Sequence, residues 1–307
     1  MAKYTVEVIS KHICQLGEGP HWDQKSQTLY YVDLIGGDVC RLDPNTQESE
    51  VVHIGGIVSV LVPINNNKNE FIISQDNKLY KLDWSSQQKQ LLTEIESHLD
   101  KNRFNDGKCD PSGRFWVGTM GPETSPGVFV DNRGALYNYG SKIEKKFDPV
   151  NLSNGLAWSL DNTKMYFIDS TKRIIYSFDF DIKSGNIENA NVFFDFNKKK
   201  DLAENILPDG MTIDKQGNLW VACFNGARVI NICTKSGQII DTISLPTDCI
   251  TSVCFGGQHL DQLFVTTALW PLNDARRAQQ PKAGHLFRVT SDEKTFGGFE
   301  SSYEFKE

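Results

Sequence analysis

The chain has 307 residues, 39% of them hydrophobic, and a formal net charge of −7. That is enough apolar material for a large core in one closed all-β domain, and the acidic balance lacks the electrostatic footprint of a DNA- or RNA-binding protein. No stretch approaches the roughly 20 apolar residues of a membrane span, and residues 1–16 contain neither an apolar signal core nor a small-residue cleavage site. The expectation is a soluble, cytoplasmic monomer with no nucleic-acid or membrane partner.

Helical spacing of apolar residues is almost absent. Short β-branched and aromatic runs appear instead, in the order Thr28–Val32, Glu70–Ser74, Arg114–Gly118, Lys164–Ile168, Asn218–Ala222 and Gln262–Thr266. They recur at intervals of roughly 40 to 55 residues, the spacing of propeller blades. Each has an apolar or Gly-containing strand before it and another strand after the next turn, as in Asp38–Leu42, Lys78–Leu82 and Ile174–Phe178. The turn ahead of the central run is itself repeated, as Asp110-Pro111-Ser112-Gly113, Asp161-Asn162-Thr163 and Asp214-Lys215-Gln216-Gly217. The predicted fold is an all-β, six-bladed β-propeller, a single domain over residues 1–307 with a metal site on its central axis. The extended segment from Tyr4 to Ile9 is expected to complete the last blade and close the ring.

Four repeats carry a polar residue in or beside a Gly-containing pair at the same place in the first strand: Glu18, Asn105, Asn154 and Asp209. Equal height in a closed ring means convergence on the axis. Converging carboxylates repel unless a cation lies between them, and carboxylate and amide oxygens suit a hard divalent ion, calcium, magnesium or manganese. Zinc would accept the carboxylates, but no His or Cys stands at these positions.

Other features have plainer readings. Trp22, Trp84, Trp116, Trp158 and Trp220, about one per blade, read as packing between blades. His21 reads as structural, the run Lys198-Lys199-Lys200 as a solvated loop, and Asn65-Asn66-Asn67 as a polar loop. The seven cysteines contain no CxxC pair and read as free, small buried hydrophobes.

These residues fall into motifs that run in order from residue 17 to about 289: Gly17-Glu18-Gly19-Pro20-His21-Trp22, Asn102-Arg103-Phe104-Asn105-Asp106-Gly107-Lys108, Ser153-Asn154-Gly155-Leu156, Pro208-Asp209-Gly210-Met211 and Ser252-Val253-Cys254-Phe255-Gly256-Gly257. In them the chain resembles the regucalcin (senescence marker protein)/gluconolactonase family, with its insect branch that includes the firefly luciferin-regenerating enzyme. The resemblance implies a divalent metal held by Glu18, Asn154 and Asp209, and a substrate surrounded by Arg103, Asn105 and Glu123. Glu123 is placed by its position three residues after Met120, in a Gly- and Pro-rich segment, 121–127, where a differently shaped loop is expected. The family's Gly-Val-Lys-Gly-like run is replaced here by residues 293–298, a change expected at the outer blade edge rather than at the site.

The activity so implied is opening of a small lactone such as glucono-δ-lactone, with Asp209 as both ligand and base and one ion (calcium, magnesium, manganese or zinc) as cofactor. Three rival readings stand beside it. One is a luciferin-regenerating-type enzyme acting on a less polar molecule, favoured by the apolar segment Leu269-Trp270-Pro271-Leu272. The others are a non-enzymatic calcium-binding regulator and an interaction propeller with an empty channel.

Overall fold

The computed structural model describes residues 3–65, 67–125, 127–300 and 302–306. Asn66 and Pro126, which belong to two of the loops singled out above, lie outside the described residues. Among the described residues the strands form six four-stranded antiparallel sheets and one two-stranded ribbon. The six sheets are the blades of a propeller. Among the described residues, helix is confined to Asp274–Gln279 and a single 3-10 turn, Phe196–Lys198, and no helix is long and apolar enough to cross a membrane.

Each blade is laid down from the axis outward. The inner strands are Gly17–Asp23, Leu61–Ile64, Arg103–Cys109, Ser153–Trp158, Leu207–Ile213 and Ile250–Gly256. The aromatic and β-branched runs read from the sequence are the second strands, among them Phe115–Met120, Lys164–Asp169 and Leu219–Phe224. They are buried on both faces because every sheet packs between two neighbours. Ile168 and Ile175 of the fourth blade meet Met211, Ile213 and Val221 of the fifth in one apolar cluster. The outermost strands face water on one side and alternate accordingly, as along Gln238–Ser244.

The ring closes as the spacing suggests. Thr5–Val8 pairs antiparallel with Phe287–Thr290 and supplies the outer strand of the sixth blade, tied across by Arg288 Nε to Glu7 Oε1 at 2.7 Å. Opposite ends of the chain therefore share one sheet, and no blade is left with an open seam.

The repeated aspartates explain how the hairpins at the base are held. Asp214 Oδ1 accepts from the amides of Gln216 and Asn218, while Oδ2 accepts from Trp220 Nε1 at 3.0 Å and Asn231 Nδ2 at 3.2 Å. Asp110 does the same with the amides of Ser112 and Arg114 and with Trp116 Nε1 at 3.0 Å. One carboxylate thus closes the turn and satisfies the buried indole of the following strand. All five repeat tryptophans are buried.

Residues 296–300 and 302–306 lie across the base of the propeller. Phe296 packs edge-on against Trp220 and Phe255, and the Gly298 amide donates to Leu260 O. Ser302 Oγ accepts from the Trp22 amide, Phe305 exchanges backbone bonds with Pro63 and Asn65, and the Lys306 amide donates to Gly113 O. Residues 296–298, expected to affect only an outer blade edge, thus begin a strap across the base instead. Two smaller expectations also change. Lys199 folds back over the Phe194 ring at 4.6 Å instead of standing in solvent, and Cys233 is only half-buried, unlike the six buried cysteines.

Replacing Asp214 with alanine strands the Trp220 indole N–H and frees the 214–218 turn. The expected loss is about 2 kcal/mol of unfolding free energy, read from urea melts. A loss below about 0.5 kcal/mol, the range of an ordinary surface substitution, would show that the carboxylate does not hold the blade.

Candidate active site and metal centre

A cavity of about 640 Å³ opens on the face opposite the strap, and all six residues named from the sequence line it: Glu18, Arg103, Asn105, Glu123, Asn154 and Asp209. The local cause is a shared irregularity. Where each of four inner strands passes these residues, its register with the second strand slips, between Glu18 and His21, Phe104 and Gly107, Ser153 and Leu156, and Pro208 and Met211. A bulge re-aims a side chain that would otherwise lie between blades, here toward the channel. The same slip falls between Ile250 and Ser252, so Thr251 lines the cavity from the sixth blade.

The strand entries are fixed from behind. Asp33 accepts from the amides of Gln15 and Leu16, just ahead of Glu18. Asp169 repeats this with the amides of Asn151 and Leu152, just ahead of Asn154. Asn154 Nδ2 donates to Ser170 Oγ at 2.9 Å, and that hydroxyl donates to Pro208 O at 2.6 Å, the residue before Asp209. This relay holds the Asn154 oxygen toward the cavity.

Asn154 Oδ1 and Asp209 Oδ1 are buried and have no hydrogen-bond partner. Buried oxygens are otherwise paired in proteins, so two orphans beside Glu18 are an arrangement that a cation completes. The charges agree. Burial first, then the charges of Asp209 and Asp106, pushes the Glu18 carboxyl well above its ordinary range. Burial and the charge of Asp106 do the same to Asp209, against a hydrogen bond from Asn154. An all-oxygen donor set under mutual repulsion fits a hard divalent ion.

Arg103 is the cation of the upper site. Its Nη1 donates to Phe104 O and to Asn105 Oδ1, each at 2.8 Å, and Asn105 Nδ2 donates to Ser153 O at 2.8 Å. Both ends of the Asn105 amide are therefore engaged, so Asn105 fixes Arg103 as well as lining the cavity. Burial lowers the Arg103 pKa to about 10 against the opposing charges of Glu123, Asp76 and Glu18, which leaves it protonated at neutral pH. Glu123 starts a ribbon, Glu123–Ser125 with Val128–Phe129, that rises at the mouth. It is exposed, and its Oε1 accepts from the Gly127 amide at 2.6 Å.

Two charged groups escaped the sequence reading. Asp106, one residue beyond Asn105, is buried deeper in the channel with its Oδ1 on the Gly107 amide, and Lys108 Nζ donates to Met211 O at 2.8 Å. With His21 and Ser252 they line a small void below the main cavity. Burial raises the Asp106 carboxyl, offset by Lys108, and burial lowers His21 to about 4, so the imidazole is neutral. The signal for Asp106 was present, an acid beside a Gly in the same motif, but Asn105 already occupied the matching repeat position.

A second cluster, His12, Cys14 and Asp33, brings its ligand atoms within 4.8 Å of one another. Asp33 there accepts three backbone amides, those of Gln15, Leu16 and Gly36. Asp169 performs the equivalent task in the fourth blade, so Asp33 is accounted for as a strand tie.

Comparison with known proteins places this geometry. The family model described as SMP-30/Gluconolactonase/LRE-like region matches residues 16–269. Regucalcin of Pongo abelii is 37% identical over 292 residues, covering 94% of this chain and 95% of its own. A solved luciferin-regenerating enzyme superposes with a TM-score of 0.91 at 35% identity, covering 99% of this chain and 100% of its own. A calcium-binding protein, regucalcin, from Agrobacterium tumefaciens superposes with a TM-score of 0.87 at 26% identity, with 99% and 100% covered.

Calcium, magnesium or manganese at about 100 times its dissociation constant should stabilise the native protein by about 2.7 kcal/mol, seen as a rise in melting temperature. The Asn154→Ala and Asp209→Asn proteins should lose most of that rise while melting cooperatively without the ion. An unchanged rise in both would remove these residues from the ligand set.

Proposed function

Because the chain belongs to the SMP-30/Gluconolactonase/LRE-like family, we propose that it is a divalent-metal-dependent hydrolase that opens a small lactone at the floor of this cavity. The observation that carries the reading is the pair of buried, unpartnered oxygens of Asn154 and Asp209 beside Glu18. Glu18, Asn154 and Asp209 would hold the ion. A bound divalent cation supplies electrophilic stabilisation where negative charge collects on the attacked carbonyl oxygen.

The chain's own residues do the rest. Asp209 accepts a proton from the attacking water with the carboxylate oxygen not spent on the ion. The water oxygen bonds to the acyl carbon, the ring C–O bond breaks, and the proton ends on the departing ring oxygen, so lactone plus water gives one hydroxy acid. Arg103, held by Phe104 O and Asn105, presents its remaining donors to a polar group of the substrate. The exposed Glu123 carboxylate at the mouth contributes to the same polar side. The neighbouring reading, a luciferin-regenerating-type enzyme, is supported by the full-length likeness to that solved structure and uses the same floor. Six buried cysteines fit a reducing, cytoplasmic setting, and the partner proposed is a small-molecule substrate.

The test is acid release from δ-valerolactone and glucono-δ-lactone by metal-stripped protein, with calcium, magnesium, manganese or zinc added back. Turnover should return with an ion and fall at least ~100-fold in Asp209→Asn, in line with loss of a general base. Full activity in Asp209→Asn would remove it as the base. Arg103→Ala should raise KM at unchanged metal affinity, and equal losses of both would make Arg103 structural.

A further inference from the structure

The polar groups of the cavity are not spread over its wall. The inner strands enter from the mouth, and residues just ahead of the proposed ligands line the cavity as well. Leu16 stands two residues before Glu18, Leu152 two before Asn154, and Leu207 two before Asp209, and all three line the cavity. Each proposed ligand therefore has a leucine one step nearer the mouth. Phe224 and Trp270 extend this wall, and Phe129 faces it from the ribbon. The third blade breaks the pattern, because the residue two before Asn105 is Arg103. Asn205, Asn225 and Arg276 line the outer part, where solvent reaches, and Arg276 Nη2 is already paired with Asp248 at 2.8 Å. Trp270 keeps 40% of its surface exposed at the rim of the cavity.

The chamber thus has a polar floor, an apolar collar over the first, fourth, fifth and sixth blades, and a polar side at Arg103. Its 640 Å³ lies in the range that encloses ligands much larger than one sugar ring. A polyhydroxylated lactone seated on the floor would press hydroxyls against Leu16, Leu152 and Leu207, where no donor or acceptor answers them, and desolvated hydroxyls without partners are costly. We propose that the substrate of this site is a lactone bearing an alkyl or aryl substituent, its ester on the floor and its substituent against Leu152, Leu207, Phe224 and Trp270. This rests on the lactonase reading and narrows it to a substrate class.

Three lactones with the same six-membered ring separate the possibilities: δ-valerolactone without a substituent, δ-decalactone with an alkyl chain and glucono-δ-lactone with hydroxyls. Each methylene buried against the collar is worth about fourfold, so δ-decalactone should exceed δ-valerolactone at least ~10-fold in kcat/KM and exceed glucono-δ-lactone as well. Leu207→Asn and Trp270→Ser should each shrink the ratio of δ-decalactone to δ-valerolactone severalfold. A preference for glucono-δ-lactone, or a ratio unmoved by both variants, overturns the proposal. If no lactone is opened, the hydrolase reading fails, and calorimetry with the same three compounds decides the collar alone. Tighter binding of δ-decalactone upholds it, and equal or absent binding sinks it.

Discussion

Everything at the centre of this molecule follows from placing like charges where water cannot screen them. Glu18, Asp106 and Asp209 are buried around one axis, and each has its carboxyl raised by burial before any neighbour is counted. Taking an ion out of water costs several kcal/mol even after relaxation. Arg103 and Lys108 answer part of that charge, and the Gly19 and Gly107 amides answer two oxygens. What remains is two oxygens with nothing to accept. Such a centre persists only if the surrounding structure is stable for other reasons, and the apolar clusters between blades, with the N-terminal strand locked into the sixth blade, are those reasons.

The same residue type does two jobs in this fold, and hydrogen-bond satisfaction tells them apart. Asp33, Asp110, Asp169 and Asp214 accept from backbone amides or indoles and are consumed in holding strands and turns. Asp209 sits on an equally regular repeat position, yet one of its oxygens is left open. The difference is geometric. Tying aspartates lie at strand ends or in turns, where amides converge on them. Asp209 lies in a bulge, where the backbone turns its side chain toward the axis and away from any amide.

The sequence made the blades legible because all six repeat the aromatic or β-branched second strand and three also repeat the Asp-containing turn before it. The axis residues were legible for the same reason: Glu18, Asn105, Asn154 and Asp209 recur at one repeat position, and the structure puts the register slip at each of them. Asp106 was not, because in a bulge two successive residues both reach the channel at different heights, and the repeat marks only one. That Asn105 would spend both ends of its amide on Arg103 and Ser153 was also invisible, since it depends on a neighbouring blade. The strap, residues 296–300 and 302–306, has no strand period, and its partners are base turns of other blades, so no local pattern announces it.

The strap and the collar together give the channel a direction. With the base crossed by residues 296–300 and 302–306, the large cavity communicates with solvent through the mouth framed by Trp270 and the ribbon of Glu123–Ser125 and Val128–Phe129. The charged floor is therefore reached past leucines on the first, fourth and fifth blades and past Arg103 on the third. A substrate that covers those leucines expels water from the space above Glu18, Asn154 and Asp209, and the interactions on the floor strengthen as the local dielectric falls. A substrate that leaves them wet gains less from the same floor. Binding energy from a part of the molecule remote from the reacting bond is thus converted into electrostatic advantage at that bond. The spacing of two residues between each leucine and the polar group beneath it is what couples the two.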